Sequence, residues 1–253
     1  MFMYTDYNQH LLDNVKKIHF IGCGGSGMYP LIQILAAKGY EISGSDVLDG
    51  SIIRYEREMG VKVSLGHSAD NIIGVDMVVY SAAISKDNVE LCAASSYGIP
   101  TIERSVLLGY VSRLYKQSIC VSGTHGKTTT TSMCTHIIMA ARMDPTVMIG
   151  GTLPLLHAGY RVGQGDTIIL ESCEYCNSFL SFFPTVAVIL NVEEDHLDFF
   201  KDLEDVKRSF RRFAELVPET GFVVADRDDA NTMDALSGLD RPTVTFGLDE
   251  GDV

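Results

Sequence analysis

The chain has 253 residues, of which 46% are hydrophobic and 21% charged, and its formal net charge is −13. A chain of this length can bury one large core or two modest ones, and two are favoured. The excess of carboxylates argues against binding to nucleic acid or to a membrane surface, because both need clustered Lys and Arg.

No export or membrane signal is found in the sequence. Residues 1–15 include Asp6 and Asp13 and lack an apolar core, so no signal peptide is predicted. No apolar run approaches the ~18 residues that span a bilayer. We therefore expect a cytoplasmic protein whose six cysteines are reduced thiols. Cys173 and Cys176 form one C-x-x-C, but no second Cys pair completes a zinc site, so zinc or redox chemistry is the less favoured interpretation.

From Lys16 onward, short β-rich runs alternate with longer amphipathic stretches, a pattern typical of a parallel sheet with crossover helices. The first part is predicted to contain helices at 28–38 and 105–114 and strands at 18–21, 40–43, 61–64, 77–80 and 99–102. The second part is predicted to contain helices at 128–142 and 203–217 and strands at 118–122, 167–171, 186–191, 222–225 and 243–246.

The strand–glycine loop–helix pattern occurs twice, about 100 residues apart, which predicts two nucleotide-binding α/β domains. We place them at residues 1–115 and 116–253. The last predicted strand is followed by no closing helix, so the second domain is expected to be incomplete.

The first glycine loop, residues 22–27, reads Gly-Cys-Gly-Gly-Ser-Gly and matches G-x-G-x-x-G. Such glycines allow a tight turn, close approach of the backbone to a diphosphate, and packing of helix on strand. Asp46 stands just after the second predicted strand, where a carboxylate can accept a ribose hydroxyl. The motif alone fits NAD binding or a glycine-rich structural turn.

The second loop, residues 123–129, reads Gly-Thr-His-Gly-Lys-Thr-Thr. Val121 stands where the full P-loop pattern has its first glycine, so the match is to a shorter G-x-x-G-K-T form. Its mechanics are retained: backbone N–H groups at a helix start bind phosphates, Lys127 reaches the β and γ oxygens, and the Thr128 hydroxyl faces Mg²⁺.

Acidic residues and a histidine follow two predicted buried strands of the second part. Glu171 ends one strand, with Glu174 just beyond it, and Asn191 ends another strand that leads to His196. Ligands collect at the carboxyl ends of parallel strands, so Glu171, His196 and the phosphate loop are expected to converge. Since Mg²⁺ prefers oxygen, His196 is predicted to be a minority nitrogen ligand.

These residues together resemble the Mur ligase family, from about Val15 to Gly247. The most specific segments are residues 18–28, 43–46, 123–130, 171–174 and 191–198. The resemblance implies an N-terminal Rossmann-like parallel-sheet domain and a P-loop-type ATP-binding α/β domain. In that family the first glycine loop holds the UDP part of a sugar, and a dehydrogenase has no use for a second phosphate loop, so NAD becomes the less favoured ligand.

The resemblance also implies individual roles. Contacts with the UDP-sugar are expected from Gly24, Gly25, Ser26, Gly27, Asp46, His67 and Ser81. Contacts with ATP are expected from Gly123, Thr124, His125, Gly126, Lys127, Thr128 and Thr129. Thr128 would bind a first Mg²⁺, and Glu171 and His196 a second. Lys127, Glu171 and His196 are therefore the expected catalytic residues.

The implied activity is ATP-dependent joining of L-alanine to UDP-N-acetylmuramate through an acyl phosphate, in peptidoglycan precursor synthesis. Family members continue through more of the ATP domain and a third domain, so we expect this chain to be a partial ligase. Two alternatives stay open: a fragment that binds nucleotides without turnover, and the related ligase that adds a recycled peptide to the same sugar nucleotide.

Overall fold

A computed structural model describes residues 11–249 and 251–253. The chain forms two compact units, one that ends at Leu108 and one that begins at Gly109. Each unit is built on its own β-sheet flanked by helices, which confirms the predicted α/β class. The domain boundary drawn from the sequence at 115/116 stays a prediction. None of the helices within the described ranges is both long and apolar enough for a bilayer crossing.

The first unit contains a five-stranded parallel sheet in the order β3-β2-β1-β4-β5. Its elements in chain order are β1 (Lys17–Ile21), α1 (Tyr29–Ala37), β2 (Glu41–Asp46), α2 (Ser51–Glu58), β3 (Lys62–Leu65), a 3₁₀ turn (Ala69–Ile72), β4 (Met77–Tyr80), α3 (Val89–Tyr97), β5 (Thr101–Glu103) and α4 (Arg104–Ser112), within which the unit ends. The strand order reverses between β1 and β4, so the glycine turn after β1 lies at the switch point where such sheets bind ligands.

The burial of apolar residues in β1 and α1 explains why the start of the first unit folds into this strand and helix. Ile18, Phe20 and Ile21 of β1 are fully buried in the centre of the sheet. Pro30 stands in the first turn of α1, where its fixed φ suits a helix start and its missing N–H leaves no bond unmade. The apolar face of α1 is buried in turn, with Leu31 and Leu35 at 0% exposure.

The second unit contains a seven-stranded sheet in the order β12-β11-β10-β6-β9-β7-β8. Neighbouring strands are parallel except for the antiparallel pair β7–β8. Its elements are β6 (Gln117–Ser122), α5 (Lys127–Ala140), β7 (Thr146–Leu153), β8 (Ala158–Arg161), β9 (Thr167–Glu171), a 3₁₀ stretch (Tyr175–Ser181), β10 (Val186–Ile189), α6 (Leu203–Glu215), β11 (Phe222–Asp226), α7 (Ala230–Ala235) and β12 (Thr243–Phe246). The carboxyl ends of β6, β9 and β10 therefore meet at one edge.

Aromatic packing fixes the segment that follows β9. The Phe179 ring stacks on Phe213 with centroids 4.5 Å apart and meets Phe210 edge-on at 5.4 Å. All three rings are fully buried. Aromatic pairs at these separations contribute roughly 0.5–1.5 kcal/mol each beyond area burial. This cluster anchors the 3₁₀ stretch, and with it Glu174, to α6.

Candidate active site

The second glycine loop joins β6 to α5 in a conformation that needs glycine at two positions. Gly123 has φ 142° and Gly126 has φ 83°, both in the region that side chains disfavour. A Cβ on Gly123 would lie 2.9 Å from the Cβ of Leu190, which follows β10. The loop therefore packs closely against the end of a neighbouring strand.

Asn191 braces this loop from the end of β10. Its backbone carbonyl accepts the Thr124 N–H at 3.0 Å, and its side-chain Oδ1 accepts the His125 N–H at 2.7 Å. Its Nδ2 donates to the His125 carbonyl at 3.2 Å. One residue at the strand end thus holds two successive loop residues, Thr124 through its backbone carbonyl and His125 through its side-chain amide, a role that the sequence analysis did not assign to it.

Lys127 is the first residue of α5, and its side chain lies across the loop. Its Nζ donates to the carbonyls of Gly123 (2.7 Å) and Thr124 (3.1 Å) and to both carboxylate oxygens of Glu174 (3.0 and 3.2 Å). The Lys127 side chain is 15% exposed and that of Glu174 only 2%. A nearly buried carboxylate therefore fixes the ammonium group over the loop.

The start of α5 offers donors to an anion. Within residues 11–249 and 251–253, the backbone N–H groups of Gly126, Lys127 and Thr128 have no acceptor in the protein. They carry the positive end of the helix dipole, and such groups bind phosphate oxygens. Together with the Lys127 ammonium group, they fit the phosphates of a nucleotide.

Thr128 and Glu171 meet at the carboxyl end of β9. The Thr128 hydroxyl donates to Glu171 Oε1 at 3.0 Å, and the Gly150 N–H from β7 donates to Glu171 Oε2 at 2.7 Å. The predicted ligands of two different metal ions are thus brought together. Gly150 belongs to a strand that the sequence analysis missed, so its part in holding Glu171 was missed with it.

A Gly150→Ala variant is expected to displace Glu171, because the added Cβ would lie 2.5 Å from its Oε1. We expect Mg²⁺-dependent ATP affinity to fall about tenfold, or about 1.4 kcal/mol, measured by calorimetry. Gly50→Ala is the matched control, since a Cβ there meets nothing within 4 Å. An unchanged ATP affinity in a folded Gly150→Ala protein would show that the position of Glu171 does not matter for binding.

Glu174, Asp195 and His196 form a cluster suited to a cation. One ligand atom from each lies within 4.8 Å of the others. His196 Nε2 is 3.6 Å from Glu174 Oε1 and 3.9 Å from Asp195 Oδ2. His196 has a left-handed φ of 53°, and its N–H donates to Asp195 Oδ1 at 2.7 Å. The two carboxylates are ligands of the kind that Mg²⁺ prefers, and the imidazole would be a minority nitrogen ligand beside them.

The pairing of these residues differs from the predicted one. Across the part of the chain that the structure describes, no hydrogen bond or ion pair joins Glu171 to His196; His196 faces Glu174, and Glu171 faces Thr128. The Tyr175 ring lies 4.6 Å from the His196 ring. The predicted metal-binding roles of Thr128, Glu171 and His196 stay predictions, and Glu174 and Asp195 join them as candidates.

In the first unit, Asp46 closes the first glycine loop. Its Oδ2 accepts the Gly24 N–H at 2.9 Å, and its Oδ1 accepts the Leu48 N–H at 3.0 Å. The backbone of Ser45 accepts the Gly22 N–H at 2.8 Å. The carboxylate that was predicted to contact a ribose thus also fixes the turn.

The same loop adjoins two further side chains. Gly27 packs on Arg104, since a Cβ on Gly27 would lie 3.4 Å from the guanidinium Nε. Gly22 lies beside the turn at Ser81, since a Cβ on Gly22 would lie 4.0 Å from the Cβ of Ser81. In the described chain, the N–H groups of Ser26 and Gly27 have no protein acceptor. These donors and the cationic Arg104, which was not predicted, fit a diphosphate.

His67 is held by a buried carboxylate, Glu90, at the start of α3. Glu90 Oε2 accepts from His67 Nδ1 (2.9 Å) and the Ser45 hydroxyl (2.6 Å), and Oε1 accepts from Asn71 Nδ2 (2.6 Å). His19 Nε2 lies 3.7 Å from Oε1. Burial acts to raise the pKa of Glu90, but the nearby His19 and the hydrogen bonds from Ser45 and Asn71 outweigh it and lower the pKa to about 2. Nδ1 of His67 is therefore engaged, which leaves Nε2 for a ligand.

Comparison with known sequences places the chain among close relatives. It is 48% identical over 239 residues to a protein of Caldanaerobacter subterraneus subsp. tengcongensis, and 47% identical over 233 residues to one of Acetivibrio thermocellus. Both are named UDP-N-acetylmuramate–L-alanine ligase. The matches cover 94% and 92% of this chain but 52% and 50% of the relatives. The chain thus spans about half the length of the curated relatives it matches.

Two solved structures share the fold. The UDP-N-acetylmuramate:L-alanyl-gamma-D-glutamyl-meso-diaminopimelate ligase of Neisseria meningitides gives a TM-score of 0.81 at 27% identity, covering 94% of this chain and 79% of that one. The UDP-N-acetylmuramate-alanine ligase of Thermotoga maritima gives 0.75 at 31% identity, covering 93% and 53%. Both neighbours are ligases of the same sugar nucleotide by name.

Two family descriptions account for nearly the whole sequence. "Mur ligase family, catalytic domain" matches residues 17–116, and "Mur ligase middle domain" matches residues 121–253. The first range contains the glycine turn closed by Asp46, and the second contains Lys127 and the acidic cluster beside it. The chain therefore belongs to the Mur ligase family.

Proposed function

We propose that this chain forms the UDP-sugar site and much of the ATP site of a cytoplasmic ligase that joins L-alanine to UDP-N-acetylmuramate. The observation that carries the proposal is the position of Lys127, held over a glycine loop by Glu174 at 3.0 Å with a carboxylate–histidine cluster beside it. The names of the relatives at 47–48% identity support the choice of amino acid and sugar.

In the proposed reaction, a carboxylate oxygen of the sugar's lactyl group attacks the γ-phosphorus of ATP, and ADP leaves. The amine of L-alanine then attacks the acyl carbon, phosphate leaves, and an amide forms. Both partners of the first step are anions, so the site must neutralise charge at the point of transfer. Magnesium, when bound by residues from the set Thr128, Glu171, Glu174, Asp195 and His196, supplies part of that neutralisation.

The chain's own residues supply the rest. The N–H groups at the start of α5 hold phosphate oxygens in place, and Lys127 carries a positive charge to them. Glu174 fixes the Lys127 side chain in the absence of phosphate, which avoids the entropy of ordering a free lysine on binding. Asn191 holds the loop itself, because its amide bonds both the N–H and the carbonyl of His125.

Calorimetry on this chain tests the binding part of the proposal. We expect ATP to bind only with Mg²⁺, and UDP-N-acetylmuramate to bind with or without it, since the two ligands are assigned to different glycine loops. Absence of both binding events from folded protein would contradict the proposal. Phosphate release with ATP, UDP-N-acetylmuramate and L-alanine tests turnover. Binding without release would favour a fragment that holds nucleotides but does not catalyse.

A related ligase that adds a peptide to the same sugar nucleotide is the second candidate. The observation that favours it is the TM-score of 0.81 with the Neisseria enzyme, whose name specifies an L-alanyl-gamma-D-glutamyl-meso-diaminopimelate substrate. Replacing L-alanine by that tripeptide in the phosphate-release assay separates the two. Release with the tripeptide alone would reassign the acceptor without changing either nucleotide site.

A further inference from the structure

Glu56 is a carboxyl group buried beside the first glycine loop. It lies on α2 with 0% exposure, and neither side-chain oxygen has a hydrogen-bond partner in the described chain. Ile53, three residues earlier on the same helix face, packs against the loop, because a Cβ on Gly24 would lie 3.2 Å from its Cδ1. A carboxylate left without donors in such a place is strongly unfavourable, whereas the protonated acid is tolerated.

Cys23 connects Glu56 to the loop. The Cys23 side chain is fully buried and lies so close to β2 that a Cβ on Gly44 would be 2.7 Å from its sulfur. Its thiol also lies beside the Glu56 carboxyl group. Asp46 is the other titratable group that acts on Glu56, and it accepts the Gly24 N–H. A displacement of Glu56 is therefore transmitted directly to Cys23 and Gly24.

The environment favours the neutral form of Glu56. Burial raises the pKa of Glu56 to about 7, the nearby Cys23 thiol opposes this, and the Asp46 carboxylate adds to it. The proton is therefore lost close to neutral pH. A bound diphosphate would bring further negative charge to the same loop and would hold the proton more tightly.

We propose that Glu56 is a positioning residue for the first glycine loop, the turn that is assigned to the diphosphate. It acts as a neutral carboxylic acid, and it must keep its proton for this turn to bind a UDP-sugar well. This rests on the proposed role of the turn. Loss of the proton would place a second carboxylate near Asp46 with only the weak Cys23 thiol as a donor, and α2 or the loop must then move to admit water. By linkage, binding of the anionic ligand and retention of the proton reinforce one another.

The test is calorimetry of the full chain with UDP-N-acetylmuramate between about pH 6 and about pH 8.5, where the ligand's diphosphate and carboxylate keep their charge. We expect the wild-type Kd to rise roughly tenfold over this range, which corresponds to a shift of about one unit in the pKa of Glu56 on binding. Near pH 8, binding should also take up protons, seen as a dependence of the heat on the buffer. Glu56→Gln should bind with a constant Kd and without proton uptake.

Glu58→Gln is the matched control, because it removes the same charge from an exposed position of the same helix. It should retain the wild-type pH profile. Glu56→Leu serves if Glu56→Gln does not fold, and it too should lose the profile. A wild-type Kd that stays constant with pH overturns the inference about Glu56 while leaving the UDP-sugar site intact. No binding at any pH instead overturns the proposed site itself.

Discussion

In a Lys127→Ala variant, the Mg²⁺-dependent affinity for ATP is expected to fall about a hundredfold or more. Two effects act together. The ammonium group that would contact the phosphates is removed, and Glu174, only 2% exposed, is left as an unpaired carboxylate beside the anion. Truncating one partner of a buried charge pair across a binding interface, here Lys127 and a phosphate, costs about 2–5 kcal/mol of affinity, and calorimetry with ATP measures that loss. In an active ligase, turnover should fall by several orders of magnitude.

Affinity for UDP-N-acetylmuramate should be unchanged in the same variant, since that ligand is assigned to the other glycine loop. Lys201→Ala, which removes an exposed lysine from the same unit, controls for net charge. An equal loss of both nucleotide affinities in Lys127→Ala would contradict the division into two sites.

Several strands could be predicted because their residues show the local pattern that is typical of strands. β4, β9 and β12 each contain a run of β-branched residues, and their predicted bounds are the observed ones. The β7–β8 pair was missed because β7 contains Gly150 and Gly151, which read as a break in a strand. Helix α3 was missed because its small residues give little amphipathic pattern.

Most residues of the candidate site were predicted from the sequence, but the contacts between them were not. The sequence places Glu171 and His196 after strands that end at one edge, yet it does not determine which side chains then meet. Two residues between them, Cys176 and Asn177, have left-handed φ of 53° and 56°, and they redirect the chain after Glu174. Side-chain direction beyond a strand depends on such local backbone states, which periodicity does not report.

Two buried glutamates of the first unit show how environment alone decides charge. Glu56 and Glu90 are both 0% exposed. Among the described residues, the only donor beside Glu56 is the weak thiol of Cys23, and burial raises the pKa of Glu56 to about 7. Glu90 has donors from β2 and from residues 67–71, with His19 nearby, and together they outweigh burial and lower its pKa to about 2. Neither state was visible in the sequence, because the donors become neighbours only in the folded sheet.

A Glu90→Gln variant is therefore expected to be destabilised by about 3 kcal/mol at neutral pH. The estimate follows from the difference between the ordinary pKa of 4.5 and the folded value of about 2, at about 1.4 kcal/mol per unit. The amide also places an NH₂ donor where a carboxylate oxygen accepted, so it loses the bonds from Ser45 and His67 if it replaces Oε2, or the bond from Asn71 if it replaces Oε1. Denaturant unfolding at pH 7 measures the change, with Glu58→Gln as the exposed control.

The pH dependence of this difference distinguishes the Glu90 charge from a simple packing defect. A carboxyl group whose pKa is lowered by folding stabilises the protein fully above its unfolded pKa and loses that effect as the pH falls through its folded pKa. The wild-type advantage over Glu90→Gln should hold above about pH 5 and shrink to about half or less near pH 3. A difference that stays constant down to pH 3 would mean that the charge of Glu90 contributes nothing, and that shape alone holds His67 in place.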